Sequence, residues 1–295
     1  MIAIRSADLS AEINPLGAQL SALRDSAGRN LLWDGDSKWW AGRAPVLFPI
    51  VGTLAGGTYL YGSKRYALAR HGFARGKPFE TVVSAPTTAM FKLRADDSTL
   101  AVYPFDFELE MRFALDGPTL TVTATVRNTG LQELPASLGF HPGFRWPLPY
   151  DKPRGAHFIE FETDEPAPAR RINADGLLSP EEFPTPIAHR RLALADALFE
   201  KDVVIFDRIA SRAVRYGAPG GPHIAIRFPD AHYLGVWTRP GAPFVCIEPW
   251  QGVTDPANFS GDIRDKPGIF TVAPGAAHAL SMAITLQMPA FQTVR

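Results

Sequence analysis

Between residues 105 and 115 every second side chain is apolar, at Phe105, Phe107, Leu109, Met111, Phe113 and Leu115, and the intervening Asp106, Glu108, Glu110 and Arg112 are charged. That period of two puts all the apolar groups on one side of an extended chain but would scatter them around a helix. After the turn signal Asp116-Gly117-Pro118 the alternation resumes, with Leu120, Val122, Ala124 and Val126 set against Thr121, Thr123, Thr125 and Arg127. The spacing predicts an antiparallel pair with one buried and one solvated face. Shorter strands are expected at residues 2–5, 11–14, 19–23, 81–84, 90–94, 157–162, 203–206, 213–216, 224–228, 233–237, 244–248 and 280–286. The 27 prolines, roughly twice the usual share of about 5%, disfavour long helices; the main helix candidate is Leu192 to Phe199. Many short strands punctuated by Gly and Pro make an all-β fold, a large antiparallel β-sandwich, and the chain reads as one domain over residues 1–295.

Thirty basic residues balance thirty acidic ones with no run of either sign, so neither nucleic acid nor an anionic membrane is an expected partner. With a single cysteine, Cys246, no intrachain disulfide and no thiolate zinc cluster can form. The N-terminus lacks a long apolar segment, and a soluble, cytoplasmic protein is expected. Oligomeric state is not legible. Two loop-rich stretches, residues 39–75 and 142–186, break the strand rhythm and are expected to crowd one side of the scaffold, where function usually sits.

Three segments combine an ionisable side chain with glycine and aromatic neighbours. In Ser137-Leu-Gly-Phe-His-Pro-Gly-Phe144, Pro142 biases His141 toward extended backbone, and Gly139 and Gly143 are expected to leave room for another molecule. The second is His71-Gly-Phe-Ala-Arg75 and the third Val245-Cys-Ile-Glu-Pro-Trp-Gln-Gly252. Glu248 is the odd residue of an apolar strand, and a carboxylate entering a β core must be hydrogen-bonded or put to use. Two histidines and a glutamate supply an acid and a base that operate near neutral pH. The same inventory could serve as a metal-binding facial triad, although such ligands usually cluster on one strand. Glu248 with Asp202 or Asp255 could serve as the carboxylate pair of a glycosidase, which would leave the histidines without a role. Cys246 is expected to be a small buried hydrophobe.

These segments, preceded by Gly42-Arg-Ala-Pro-Val-Leu-Phe-Pro-Ile-Val-Gly52, follow the order seen in the aldose 1-epimerase (galactose mutarotase) family, and the chain resembles its bacterial LacX-like branch from about Leu16 to Leu286. The resemblance implies a supersandwich whose concave face binds a sugar, with neither cofactor nor metal. It implies that His141 is the general acid, Glu248 the general base, and His71 a second histidine near the sugar ring oxygen. Arg43 matches a substrate-binding arginine and Asp202 an aspartate that holds sugar hydroxyls, with Asp207 its rival. Arg75 is a candidate for the pocket rim, and Phe73, Phe144, Trp237 and Trp250 could offer apolar surface to a pyranose. A neutral aldose is favoured over a hexose 6-phosphate, and a catalytically silent sugar-binding protein or sensor is the alternative to a mutarotase. The chemistry requires His141 protonated beside an ionised Glu248, with proximity raising the imidazole pKa. A bell-shaped rate profile is expected, and a rate flat between about pH 5 and 9 would count against it.

Overall fold

The computed structural model describes residues 1–289. Two antiparallel sheets dominate it. The larger has nine strands in the order Arg191–Ala193, Phe158–Phe161, Ala213–Gly217, His223–Arg227, Ala277–Gln287, Thr119–Asn128, Phe107–Asp116, Thr88–Arg94 and Glu80–Ser84. At its centre the expected hairpin forms, Leu115 opposite Leu120 and Phe113 opposite Val122. Its alternating apolar side chains are buried, while Lys92 and Arg94 pair across the outer face with Glu108 at 2.8 and 3.1 Å. The second sheet runs Val204–Phe206, Tyr233–Trp237, Phe244–Gln251, Leu138–Phe140 and Val46–Leu47, with Gly143–Arg145 also paired to Phe244–Gln251. One continuous buried cluster takes in Leu109 and Val122 from the first sheet and Val204, Val236, Val245 and Ile247 from the second. The core therefore lies between the sheets, as in a sandwich.

The Phe244–Gln251 strand is buried along its whole length. Its odd residues Val245 and Ile247 point into the inter-sheet core, and its even residues Phe244, Cys246, Glu248 and Trp250 point the other way. That second face is covered by the segments expected to be loop-rich. The same parity puts Leu234 and Val236 in the core and Tyr233 and Trp237 on the covered face. Glycines make this packing feasible: a Cβ on Gly235 would lie 2.4 Å from the Trp250 ring, and one on Gly139 would lie 2.7 Å from it. The space at Gly139 is thus filled by Trp250, and that at Gly143 by Trp40, rather than being left for a ligand.

The expected helix from Leu192 to Phe199 does not form. Leu192 instead pairs with Ile159 in a strand, Ala195 stays extended, and only a short 3-10 turn, Asp196–Phe199, follows. Burial of Leu192 and Leu194 with period two outweighs their helix propensity. The one α-helix among the described residues, Asp97–Leu100, is capped by Asp96 and Thr99 and lay outside any apolar period. No helix among those residues is long and apolar enough to cross a membrane.

The covering loops are pinned by one buried ion pair. Lys266 Nζ donates to Asp255 Oδ1 and to the Val253 carbonyl, both at 2.6 Å, while Asp255 Oδ2 accepts from the Ala55 amide at 2.9 Å. Between them, Thr254 Oγ1 donates to the Gly176 carbonyl at 2.7 Å and accepts from the Thr53 amide at 2.9 Å. The stretch from Val253 to Asp255, held by Lys266, thus ties together segments from distant parts of the chain. Removing one member of a buried pair strands the other charge, so Lys266→Met should lower unfolding stability by about 3–5 kcal/mol in urea. Replacing Asp255 and Lys266 together with apolar residues should cost less than Lys266→Met alone; an equal or larger loss would mean that the pair itself, rather than the stranded carboxylate, sets the penalty.

Candidate active site

On the covered face the loops leave a cavity of about 210 Å³. This is smaller than the ~300–1,000 Å³ of drug-sized sites and suits a ligand of about one sugar ring. His71, His141 and Glu248 line it and are all buried, so they form its floor. Trp40, Trp237 and Trp250 wall it, and Arg70, Arg75, Asp202 and Arg239 stand nearer solvent at its mouth. A wider groove of about 1010 Å³ continues outward and shares Arg70, Asp202, Trp237 and Arg239 with the cavity.

His141 Nε2 lies 3.2 Å from Glu248 Oε2. Glu248 is brought there by strand parity, and His141 by a chain that leaves Leu138–Phe140 and re-enters pairing at Gly143–Arg145, both alongside the strand bearing Glu248. His141 Nδ1 is buried without a hydrogen-bond partner among the described residues, so no third group orients the ring through that nitrogen. Aromatic packing does so instead. Trp40 stacks on the imidazole at 4.8 Å and 29°, and His71 and Trp237 meet it edge-on at 5.8 Å.

Burial disfavours both charged forms. It pushes His141 down to about 3, helped by the positive charges of Arg70 and Arg75, and raises Glu248 well above the usual carboxylate range against the opposing pull of Arg70. Burial therefore favours the neutral carboxyl and the neutral imidazole over the ion pair. The imidazolium beside an ionised carboxylate, expected from proximity, is thus opposed by burial of both partners.

His71 is differently placed. It adopts a left-handed backbone (φ 66°), followed by Gly72, where a Cβ would lie 2.2 Å from the Phe48 carbonyl oxygen. Its Nδ1 accepts from the Gly52 amide at 3.0 Å, so the neutral ring carries its proton on Nε2. Burial, then His141, Arg70 and Arg75, hold its pKa well below the ordinary value. Arg70 Nε–H is aimed at Nε2 at 3.3 Å; a neutral imidazole cannot accept at both nitrogens, and the shorter Gly52 contact takes the lone pair, so Arg70 Nε–H is left without an acceptor on the ring.

Of the other expected residues, Arg75, Asp202, Trp237 and Trp250 line the cavity. Asp202, in left-handed backbone (φ 63°), is fixed by Arg171, which donates to the carbonyls of Asp202 (2.9 Å) and Leu198 (2.8 Å). Its rival Asp207 is instead paired with Arg170 at 3.0 Å, and Asp255 is held by Lys266. Arg43 and Phe144, expected to bind substrate, do not line the cavity. Arg43 Nη1 donates to the Ser21 carbonyl at 3.1 Å, bracing a neighbouring strand. Phe144 pairs with Val245, so it shares that residue's parity and points into the inter-sheet core; Phe73 packs there too, against Phe48. Trp40, Arg70 and Arg239 were missed. Arg70 adjoins His71 in sequence, and Arg239 follows Trp237 by two residues, but neither carries a signal of its own.

Donor atoms of His141, Cys246 and Glu248 lie within 4.8 Å of one another. They fit a metal poorly: the thiol must ionise to ligate, burial raises its pKa well above the ordinary value, and Cys246 packs with Trp33 and Phe244, as expected of a small hydrophobe. A facial triad of His71, His141 and Glu248 would set the cation beside the Arg70 guanidinium.

The family model described as aldose 1-epimerase matches residues 1–268. The plasmid-encoded protein LacX of Lactococcus lactis subsp. lactis is 28% identical over 97% of this chain and 99% of its own length. A galactose mutarotase-like protein from Lactobacillus casei superposes with a TM-score of 0.90 at 28% identity, covering 97% of this chain and 100% of that one. The galactose mutarotase related enzyme from Lactobacillus acidophilus gives 0.88 at 28% identity, over 97% and 96%.

The tautomer of His71 is open to direct measurement. In ¹⁵N NMR its ring should keep one proton, on Nε2, as the pH falls through about 6.5. Protonation of both nitrogens at that ordinary midpoint would show that the Gly52 contact and the cationic neighbours do not control it.

Proposed function

Because this chain belongs to the aldose 1-epimerase family, we propose that it interconverts the α and β anomers of an aldose by opening and reclosing the hemiacetal ring. The 3.2 Å contact between His141 and Glu248 on the floor of a cavity scaled to one sugar ring carries this reading. Glu248 takes the proton of the anomeric hydroxyl, and C1–O1 becomes a carbonyl. The C1–O5 bond breaks, its electron pair goes to O5, and His141 protonates that oxygen. The open aldehyde turns about C1–C2, O5 attacks the other carbonyl face, and both protons return. The pair begins and ends with the same proton count.

The step needs Glu248 ionised and His141 protonated, which burial disfavours. Moving the shared proton across the contact supplies that form, and Arg70 supports the carboxylate by its positive charge. His71 Nε2–H is a hydrogen-bond donor to the sugar rather than a proton-transfer group, since its lone pair is committed to Gly52. Asp202 accepts from hydroxyls at the mouth, and Trp40, Trp237 and Trp250 cover the C–H faces of the ring. Soluble and cytoplasmic action on a free small molecule, by a chain acting as one domain, completes the reading.

Anomer exchange measured by NMR at equilibrium tests it. Glu248→Gln and His141→Asn, each checked for folding, should lower the exchange rate by about 10²–10⁴-fold. Sugar binding with exchange no faster than the spontaneous rate in the unaltered protein would overturn the catalytic reading and leave a binding protein or sensor.

A further inference from the structure

Three arginines, Arg70, Arg75 and Arg239, line the cavity, and among the described residues none of them is in an ion pair with a carboxylate. The acids that share the cavity do not balance them. Glu248 faces His141, and Asp202 Oδ1 already accepts from the Val203 amide at 2.7 Å. Arg75 donates to the Arg70 carbonyl at 2.9 Å, and its pKa is lowered first by burial and then by the adjoining Arg70 charge, so the site sets two cations side by side. Neutral hydroxyls donate as well as accept, and a site built for them alone would offer acceptors in proportion. This one offers mostly donors.

We infer that the substrate is an aldose bearing an anionic group remote from C1, a phosphate or a carboxylate, held between Arg70 and Arg239 at the cavity mouth. The inference rests on the mutarotase reading and departs from the neutral aldose that the balanced overall charge favours. Arg70 and Arg239 border both the cavity and the outer groove, so a substituent leaving the cavity passes them. Guanidinium groups present paired N–H donors that match phosphate and carboxylate oxygens.

The test compares a neutral hexose, its 6-phosphate and its uronate, in the gluco and galacto series, by NMR anomer exchange and by quenching of tryptophan fluorescence, since Trp40, Trp237 and Trp250 line the site. One anionic sugar should exceed its neutral parent at least about tenfold in kcat/KM, and the gap should shrink at roughly 0.5 M salt. Which anion wins distinguishes phosphate from carboxylate. Arg239→Gln, at an exposed position, should cut the anionic rate by about tenfold and the neutral rate by about threefold at most. A neutral parent equal to or better than both anions, or an equal loss for all sugars in the variant, would overturn the inference while leaving the mutarotase reading intact. If no sugar is exchanged, that reading fails and fluorescence decides alone: tighter binding of an anionic sugar, weakened in Arg239→Gln, supports the cationic site, and equal or absent binding refutes it.

Discussion

A carboxyl group and an imidazole face each other at 3.2 Å beneath a cover of indole rings, and the rest of the structure depends on keeping that pair buried and together. A lone ionised carboxylate at Glu248 would cost several kcal/mol in lost solvation. With His141 Nε2 at 3.2 Å the pair can remain neutral as a whole while the proton moves between partners. Trp40 stacking on the imidazole does the orienting that a third hydrogen-bonding residue performs in catalytic triads. The price is a low population of the charge-separated form, which bound substrate must raise.

The scaffold serves the same end at two scales. Strand parity sends Val245 and Ile247 into the inter-sheet core and Glu248 to the opposite side of the same buried strand. Three loop segments are then tied over that face through Thr254, Asp255 and Lys266, and a fourth through His71 and Gly72 against Phe48 and Gly52. Buried polar contacts thus do for the loops what the backbone ladder does for the strands. They rigidify a wall that has little regular structure of its own.

Much of this was legible in the sequence. The alternation at residues 105–126 gave the central hairpin because one of its faces is wet, and Glu248 stood out because a carboxylate breaks an otherwise apolar run. Neighbourhood in sequence was a poorer guide to which side chains meet the cavity. Phe144 lies three residues from His141, yet its pairing with Val245 sends it to the opposite face, which a parity argument would have found had Gly143–Arg145 been recognised as a strand. Arg43 sits in a motif that touches the site, but its side chain braces the strand Gln19–Asp25. Trp40, Arg70 and Arg239 were beyond reach because each enters the cavity from a loop, whose path is set by tertiary contacts and has no period to read.

The pH dependence of kcat/KM for anomer exchange tests most directly whether His141 and Glu248 act as one unit with one proton. Such a unit loses activity on the acid side only when it takes a second proton, and burial moves that event far below the ordinary histidine range, toward about 3. On the alkaline side it loses activity when its one proton leaves, well above the ordinary carboxylate range. The predicted profile is therefore a plateau that runs undisturbed through about pH 6.5 on its acid side, followed by an alkaline limb. An acid limb centred at that ordinary histidine value would mean that His141 titrates on its own, and would contradict the shared-proton account.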